Sequence, residues 1–203
     1  TCQLFMNLAS QNNVWVLLGS IIESATNGRC YNTSVLINNH GDIIAQYRKI
    51  HLFDVALPGT TIRESKQFLA GDTPIVATMH DWLIGLSICY DLRFPELYRE
   101  YARSKVSIIT VPSSFTSPTG KAHWEVLLRA RAIENQCYIL APNQIGIGAG
   151  KIPTYGHSMI IDPWGTILSE ASSDTEECIY AELDIEALRF TRKTLPSLSH
   201  RRL

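Results

Sequence analysis

Cys89 is the residue whose chemical type and position most clearly suggest catalysis. It follows an apolar, strand-like run at residues 83–88, and a helix signal comes after it, with Pro95 and Glu96 suited to a first helical turn. A cysteine on such a strand-to-helix turn is exposed at a sheet edge, where the amides of a helix start favour its thiolate. The position therefore predicts a nucleophile. The same spacing fits equally well a buried cysteine that packs as a small hydrophobic residue.

Lys49 is the residue that could assist such a nucleophile. Amide hydrolysis by a cysteine needs a thiolate, a base that takes its proton, and a positive or N–H donor for the oxyanion. Lys49 ends a strand-like run, and a lysine near a cysteine also lowers the pKa of the thiol. It lies far from Cys89 in the sequence, so only the fold can bring the two together. The alternative is a solvated lysine at a strand end.

The elements that must position these residues predict a layered protein of sheets and helices. Apolar periodicity predicts helices at residues 2–10, 95–103, 122–136 and 185–193. Apolar or alternating runs predict strands at residues 14–21, 34–37, 43–47, 74–79, 83–88, 106–111, 138–141, 157–161, 166–168 and 178–183. Because β-hairpins are mixed with a βαβ unit around Cys89, a purely doubly wound sheet is not expected.

Two regions between these elements deserve separate predictions. Residues 48–72 read as a long loop, and a loop of that length inside a compact domain is usually functional. The glycine-rich residues 146–150 have no following helix, so they are not expected to hold a phosphate.

The helix at residues 122–136 is predicted to have an apolar side and a polar side. The apolar side carries Trp124, Leu127, Leu128 and Ile133, and the polar side carries Arg129, Arg131 and Glu134.

The composition indicates one globular domain, residues 1–203, with 45% hydrophobic and 18% charged residues. A net charge of −1 gives no electrostatic argument for binding nucleic acid or an anionic membrane. We see no apolar run long enough to span a bilayer and no signal-peptide pattern. The chain is expected to bind neither nucleic acid nor membrane.

The cysteines and histidines show no metal-binding or disulfide pattern. The five cysteines are scattered and form no C-x-x-C pair, which suits a reducing compartment. The histidines have no ligand spacing, so we expect no metal, and His51, His123 and His157 are expected to have structural or hydrogen-bonding roles. His51 and His123 are also the candidates for the base of an unrelated Cys-His hydrolase.

Several long motifs resemble the nitrilase superfamily of carbon–nitrogen hydrolases. They lie at residues 47–54, 87–97 and 123–136 and read YRKIHLFD, SICYDLRFPEL and HWEVLLRARAIENQ. Two shorter motifs, at residues 155–159 and 162–165, read YGHSM and DPWG. The resemblance covers nearly the whole chain in order. Within the superfamily it is strongest to the branch with deaminated-glutathione amidases and the Nit part of Nit–Fhit fusion proteins.

The resemblance implies an α+β fold, a four-layer αββα sandwich, and a Glu-Lys-Cys triad. Cys89 matches the nucleophile of the family and Lys49 its oxyanion-stabilising lysine. The backbone N–H of Tyr90, directly after the nucleophile, would be the second oxyanion donor. Glu64 matches a second glutamate that steadies the lysine, although the match needs a one-residue gap; the alternative is an exposed loop carboxylate.

The resemblance also suggests residues around the reacting groups. Arg93, Ser114 and Phe115 are expected to bind the substrate, for example its carboxylate or keto group. Arg93 could equally pair with a structural acid. Glu125, in the His-Trp-Glu motif at a helix start, is expected to be a structural residue or a support for the catalytic residues.

The general-base glutamate of the family has no counterpart in this chain. The family carries it upstream, and Glu23, the only glutamate before Lys49, follows a different strand and is not assigned. The chain opens at Thr1 in what reads as an uncapped helix. We therefore expect a sandwich that is incomplete at the N-terminus.

The resemblance implies an amidase that cleaves a linear, non-peptide C–N bond through a cysteine thioester. The expected substrate is deaminated glutathione, with water as the second reactant and no cofactor. An ω-amidase acting on short keto-acid amides is the nearest alternative, and N-carbamoyl hydrolysis is a weaker one. If the upstream glutamate is truly absent, a non-catalytic binding role is expected. A homodimer or higher homo-oligomer is expected, with residues 195–203 reaching a partner, in the cytoplasm, with a mitochondrial location left open.

Overall fold

The structure is a computed structural model that describes residues 1–57, 60–148 and 152–202. Its helices are α1 (Cys2–Asn12), α2 (Pro95–Arg103), α3 (Ser117–Asn135) and α4 (Ile185–Thr194). Its strands are β1 (Val16–Ser24), β2 (Cys30–Ile37), β3 (Ile43–Arg48), β4 (Asp54–Leu57), β5 (Thr60–Arg63), β6 (Val76–Met79), β7 (Trp82–Leu86), β8 (Ile108–Thr110), β9 (Tyr138–Ala141), β10 (Met159–Ile161) and β11 (Ile167–Glu170). Short 3₁₀ turns occupy Thr26–Gly28, Glu64–Lys66 and Cys89–Arg93.

Two sheets carry most of these strands. The small sheet has the order β1-β2-β3 and is antiparallel throughout. The large sheet has the order β11-β10-β9-β8-β7-β6, and its three central strands, β7, β8 and β9, are parallel. The parallel part is joined by α2 and α3, as crossover connections between parallel strands require. Strands β4 and β5 form a separate hairpin.

The sheets pack face to face, with helices outside. One face of the small sheet packs against α1 in a cluster of Ala9, Leu18, Val35 and Ile37. Leu36 and Tyr47, from β2 and β3, instead join the main core, which also holds side chains of the large sheet, α2 and α3. The strand residues alternate between these two environments because successive side chains point to opposite faces. The predicted layered arrangement of sheets and helices is confirmed.

One predicted strand is wrong. Residues 178–183 are not part of any sheet, although their pattern alternates between exposed and half-buried positions. A sequence pattern shows that a segment suits a strand but not whether a neighbouring strand is available to pair with it. Within the described residues, no strand hydrogen-bonds to this segment.

The predicted loop at residues 48–72 contains regular structure. The hairpin of β4 and β5 and the 3₁₀ turn Glu64–Lys66 occupy most of its length. Asp54 fixes the turn to the hairpin by accepting hydrogen bonds from the Ser65 amide (3.0 Å) and hydroxyl (2.5 Å). Residues 58 and 59 of this loop, and residues 149–150 of the glycine-rich stretch, lie outside the described residues.

Helix α3 differs from its prediction at its start and on its two sides. It begins at Ser117 because Pro118 suits a first helical turn. Arg131, predicted on the polar side, is buried, and its guanidinium donates to the Leu92 carbonyl (3.1 and 2.8 Å). Ile133, predicted on the apolar side, is exposed. The buried arginine therefore connects α3 to the end of the turn that carries Cys89.

Three general findings concern the described residues. None of their helices is long and apolar enough to cross a membrane. They contain no group of three or more His, Cys, Asp or Glu side chains that could hold a metal ion. Their five cysteines are free thiols.

The close packing of α2 on β7 leads to a stability prediction. A Cβ at Gly85 would lie 2.9 Å from ring atoms of Tyr101, which is fully buried. Gly85→Ala is therefore expected to lower the free energy of unfolding by about 1–3 kcal/mol, measured by urea denaturation. In the Tyr101→Leu background the same change should be less destabilising, because the ring is gone. An equal loss in both backgrounds would contradict this contact.

Candidate active site

A cavity of about 750 Å³ opens between the two sheets. The small sheet and the hairpin region contribute one wall, and the ends of the parallel strands contribute the other. Residues from both walls with polar side chains line it: Ser20, Asn32, Lys49, Arg63, Glu64, Gln67, Cys89, Ser113, Ser114, Thr116, Asn143, Gln144, Thr154 and Ser158. Gly19 allows the walls to approach, since a Cβ there would lie 2.8 Å from the Cβ of Pro112.

Cys89 lies at a sharp corner of the backbone. Its φ is 50°, in the left-handed region that non-glycine residues rarely adopt. The Cys89 amide donates to the Pro112 carbonyl (3.0 Å), and the Asp91 amide donates to the Ile88 carbonyl (3.1 Å). The predicted strand-to-helix turn is thus present, with one difference: a 3₁₀ turn, Cys89–Arg93, precedes α2.

The surroundings of Cys89 shift the pKa of its thiol upward. Burial raises this pKa, and the Glu64 carboxylate raises it further. The Lys49 charge, the Ser114 amide and the Ser113 hydroxyl oppose the rise without overcoming it. Stabilisation of the thiolate, expected from the sequence, is therefore outweighed by burial. At neutral pH the thiol is protonated, so a reaction at this sulfur needs a base.

Lys49 is buried beside Glu64. Its Nζ lies 2.5 Å from Glu64 Oε2, the closest ion pair in the cavity. The Lys49 backbone is held on both sides, because its amide donates to the Asn32 carbonyl and its carbonyl accepts from the Gly71 amide, each at 2.8 Å. The end of β3 therefore fixes the lysine at the wall of the cavity.

Glu64 is held by three donors. Besides Lys49, the Phe53 amide donates to Oε2 (2.6 Å) and the Asn32 side-chain amide donates to Oε1 (3.3 Å). The exposed loop carboxylate that the sequence left as an alternative is not found, since the side chain is 12% exposed. The structure brings Glu64 to Lys49, and its role in catalysis stays a prediction.

Tyr90 follows Cys89 in the 3₁₀ turn. Within the described part of the chain its backbone N–H has no hydrogen-bond acceptor. Its ring packs edge-to-face against Phe53, with centroids 4.9 Å apart. A backbone amide that is free beside the nucleophile is what an oxyanion donor requires.

Arg93 lies next to a small extension of the cavity, lined also by Cys89, Tyr90, Ser114 and Phe115. Its guanidinium carbon is 5.2 Å from the centre of the Phe115 ring and 5.9 Å from that of Tyr90. Within the described residues it pairs with no carboxylate, so the structural acid that the sequence left open is not found. An arginine without an acidic partner beside a nucleophile can bind an anionic group.

Glu125 lies outside the cavity lining. It is exposed on α3, where its carboxylate pairs with Arg129 one turn away at 3.1 Å. Its role, structural or supporting, stays a prediction. The His-Trp-Glu motif instead matters through Trp124, whose indole N–H donates to the His157 carbonyl (2.7 Å) inside the core.

The histidines and Glu23 also lie outside the cavity lining. His51 and His157 each bond a carboxylate through Nδ1, at 2.7 Å, and the partners are Asp91 and Glu170. His123 Nδ1 lies 3.3 Å from Arg93. A Cys-His arrangement is therefore not found. Glu23 pairs with Arg48 on the surface of the small sheet.

Sequence reasoning missed two residues that shape the cavity. Asn143 accepts from the Phe115 amide (2.9 Å) and donates to the Gly156 carbonyl (2.6 Å), so it fixes the loop of Ser114 and Phe115. Asn32 holds both Lys49 and Glu64. Their only signal was a polar residue within or after a strand, which by itself does not distinguish a site residue from a surface residue.

Comparison with known proteins agrees with this geometry. The model of the carbon–nitrogen hydrolase family matches residues 1–193. This chain belongs to the carbon–nitrogen hydrolase family. The predicted resemblance to the nitrilase superfamily is thereby confirmed.

Individual relatives share much of the chain. A deaminated glutathione amidase of Synechocystis sp. is 48% identical over 86% of this chain and 65% of its own length. That of Dictyostelium discoideum is 43% identical over 98% of this chain and 70% of its own length. The crystal structure of the C. elegans NitFhit protein is 40% identical, with a TM-score of 0.91, and the match covers 99% of this chain and 50% of that one. The chain thus spans about two thirds of the amidases it matches.

The ion pair of Lys49 predicts the titration of Cys89. Lys49→Met removes the charge that holds the thiol pKa down, so the pH midpoint of Cys89 alkylation by iodoacetamide should rise by about one pH unit. The rate is measured against pH, with the modified peptide identified by mass spectrometry. Lys121→Met, on the exposed start of α3, serves as the control and should leave the midpoint unchanged. Equal midpoints in the two variants would contradict the electrostatic contact.

Proposed function

We propose that this chain carries the catalytic cysteine and lysine of an amidase that hydrolyses a linear C–N bond through a thioester. The observation that carries the proposal is the placement of Cys89, Lys49 and Glu64 in one cavity of a carbon–nitrogen hydrolase. Cysteine nucleophiles form covalent acyl intermediates, and a buried cation with a free amide stabilises the charge that develops on the carbonyl oxygen.

The proposed reaction has two halves. Cys89 Sγ attacks the amide carbonyl as its thiol proton passes to a base, and the oxyanion is stabilised by Lys49 and the Tyr90 N–H. The C–N bond then breaks, ammonia leaves with that proton, and a thioester on Cys89 remains. Water, deprotonated by the same base, attacks the thioester, releases the carboxylic acid and restores the thiol.

The base in this scheme is the general-base glutamate that the resemblance implies. Glu64 is the only carboxylate among the described residues of the cavity, and three donors hold it against Lys49. These hydrogen bonds engage both carboxylate oxygens, Oε2 with Lys49 and the Phe53 amide and Oε1 with Asn32. We therefore assign Glu64 to steadying the lysine. General-base catalysis contributes about 10²–10⁴-fold in rate, so a protein without that base should be slower by this factor.

The substrate that we propose is deaminated glutathione. Its support is the name of the relatives that are 43% and 48% identical to this chain over the aligned residues. An ω-amide of a short keto acid is the second candidate, since it presents the same carboxylate and amide chemistry to the cavity. Water is the only other reactant, and no cofactor enters the scheme.

Ammonia release tests the function. The protein as its gene encodes it should release ammonia from deaminated glutathione, and Cys89→Ala should abolish this because no thioester can form. Cys178→Ala, which removes an exposed thiol, is the matched control and should keep full activity. Normal ammonia release by Cys89→Ala would contradict the nucleophile.

The same assay separates the candidate functions. A faster reaction with a short ω-amide would make the protein an ω-amidase. If the protein encoded by the gene is active and the folded 203-residue chain is not, the base lies outside these 203 residues. A folded protein that hydrolyses neither amide would contradict the proposed activity and favour a binding role.

Arg93 is proposed to bind the carboxylate of the substrate, with Ser114 and Phe115 forming the wall beside it. Its guanidinium carbon lies 5.2 Å from the centre of the Phe115 ring and 5.9 Å from that of Tyr90. Arg93 lines a small pocket together with Cys89 and pairs with no carboxylate of the described residues. Arg93→Met should raise KM about 10- to 100-fold for an amide that carries a carboxylate, because a charge-assisted hydrogen bond contributes about 1.5–3 kcal/mol.

The control for Arg93 uses a different substrate and a different arginine. A neutral amide of similar size should show little change in KM with Arg93→Met. Arg129→Met, on the exposed side of α3, should alter neither substrate. An equal rise in KM for both amides would contradict carboxylate binding, and steady-state kinetics measure all of these values.

We also propose a homodimer or higher homo-oligomer, located in the cytoplasm. The support for self-association is an exposed apolar group that comprises Val126 and Ile133 on α3 and Trp164 in the adjacent turn, 66%, 45% and 59% exposed. Apolar groups of this kind often lie in protein–protein contacts.

A further inference from the structure

Asp91 is a fully buried carboxylate that accepts four hydrogen bonds. Its Oδ1 accepts from the His51 amide (3.0 Å) and from His51 Nδ1 (2.7 Å). Its Oδ2 accepts from the Tyr47 hydroxyl (2.7 Å) and from the Ile88 amide (2.9 Å). His51 Nδ1 donates to Oδ1 in the tautomer that carries the ring proton on Nδ1. Burying a charge is costly unless it is hydrogen-bonded in this way, so the group has a specific role.

The donors come from two stretches that carry the reacting groups. Tyr47 and His51 each lie two residues from Lys49, one before it and one after it. Ile88 directly precedes Cys89, and Asp91 follows it by two residues. The carboxylate therefore joins the stretch that carries the lysine to the corner that carries the nucleophile.

The Tyr47 hydroxyl is a dependable donor in this arrangement. Burial, together with the adjacent Asp91 carboxylate, raises the pKa of Tyr47, so the phenol keeps its proton. Its oxygen also accepts from the Ile50 amide (3.3 Å), which lies directly after Lys49. One side chain thus fixes the backbone after Lys49 and bonds the carboxylate near Cys89.

The three side chains of this network do not line the cavity, although Ile88, whose amide bonds Asp91, does. Among the described residues that line the cavity, Lys49 and Cys89 are present, whereas Tyr47, His51 and Asp91 are absent. The His51 ring is covered by Phe94, stacked at 3.7 Å between centroids with an angle of 5°. His51 therefore contacts the Asp91 network and Phe94 and not the cavity, and we expect the network to act through the residues that it holds.

We propose that Asp91 is a positioning residue that sets the place of the Lys49 ammonium relative to the Cys89 thiol. The predicted effect on turnover rests on the proposed function, whereas the predicted effect on geometry concerns only these two side chains. When the carboxylate loses a hydrogen bond, the backbone segment that carries Lys49 and the turn that carries Cys89 can move apart. The lysine then stabilises both the thiolate and the oxyanion less.

The sharpest variant is Tyr47→Phe, made in the protein as its gene encodes it. It removes the hydroxyl that bonds both Asp91 and the Ile50 amide and leaves every charge in place, whereas Asp91→Asn turns an acceptor into a donor among donors and could prevent folding. Tyr47→Phe should lower kcat about 10- to 100-fold with little change in KM, the loss expected for a small displacement of reacting groups. It should also raise the pH midpoint of Cys89 alkylation.

Tyr138→Phe is the matched control. Tyr138 is a buried core tyrosine whose hydroxyl bonds the Asp184 backbone (3.0 and 3.2 Å), away from the cavity. Urea denaturation of both variants measures the loss of stability that a missing buried hydroxyl causes. If Tyr47→Phe loses stability like Tyr138→Phe but keeps the kcat and the alkylation midpoint of the unaltered protein, the role of Asp91 is only structural and the proposal is overturned.

A double variant identifies the route of the effect. If Tyr47 acts through Lys49, adding Tyr47→Phe to Lys49→Met should raise the alkylation midpoint no further. A full additional rise would overturn the proposal. Alkylation needs no substrate, so this result stands even if neither amide is hydrolysed, which separates failure of the inference from failure of the proposed function.

Discussion

The backbone corner at Cys89 is the constraint on which the site depends. A non-glycine residue with φ of 50° is strained by about 1–2 kcal/mol, and such strain persists only where the surroundings over-determine it. Here the Cys89 amide is held by Pro112, and the Ile88 amide is held by the Asp91 carboxylate. The hydrogen bonds on both sides of the corner keep the sulfur at the cavity wall, at the point where β7 ends.

The two walls of the site come from different sheets, so their packing sets the chemistry. Lys49, Glu64 and Asn32 belong to the small sheet and the hairpin region, whereas Cys89, Ser113 and Ser114 follow strands of the large sheet. The core that contains Tyr47 and the large-sheet residues joins these walls by apolar contact. Apolar contact alone does not fix how far one sheet is shifted along the other, because it is not directional. The hydrogen bonds of Asp91 fix the relative position of the two walls, because a hydrogen bond weakens steeply when its angle changes.

The sequence predicted the strand-to-helix turn at Cys89, because an apolar strand and a helix signal bracket this residue. Spacing alone did not separate a nucleophile from a buried structural cysteine, and the catalytic role of Cys89 stays a prediction. The Lys49–Glu64 pair could not be read from spacing, since the hairpin of β4 and β5 that folds between them lacked a clear alternating pattern; only the family resemblance suggested Glu64. The bond from Tyr47 to Asp91 joins residues 44 apart and depends on how the sheets pack. The strand predicted at residues 178–183 was wrong for the same reason, because strand pairing depends on which neighbouring strands are available and not on the pattern of the segment itself.

The charges of the cavity explain why the lysine is paired. Lys49 and Glu64 form a buried ion pair, and removing either partner would leave the other buried and uncompensated. The two groups act on Cys89 in opposite directions, since Lys49 lowers the pKa of the thiol and Glu64 raises it, while burial raises it most. In the proposed reaction negative charge appears when the carbonyl is attacked, and the proposed donor to it is the Tyr90 amide, which has no acceptor among the described residues. An arrangement of this kind favours the tetrahedral state over the resting state, which is the difference that accelerates a reaction.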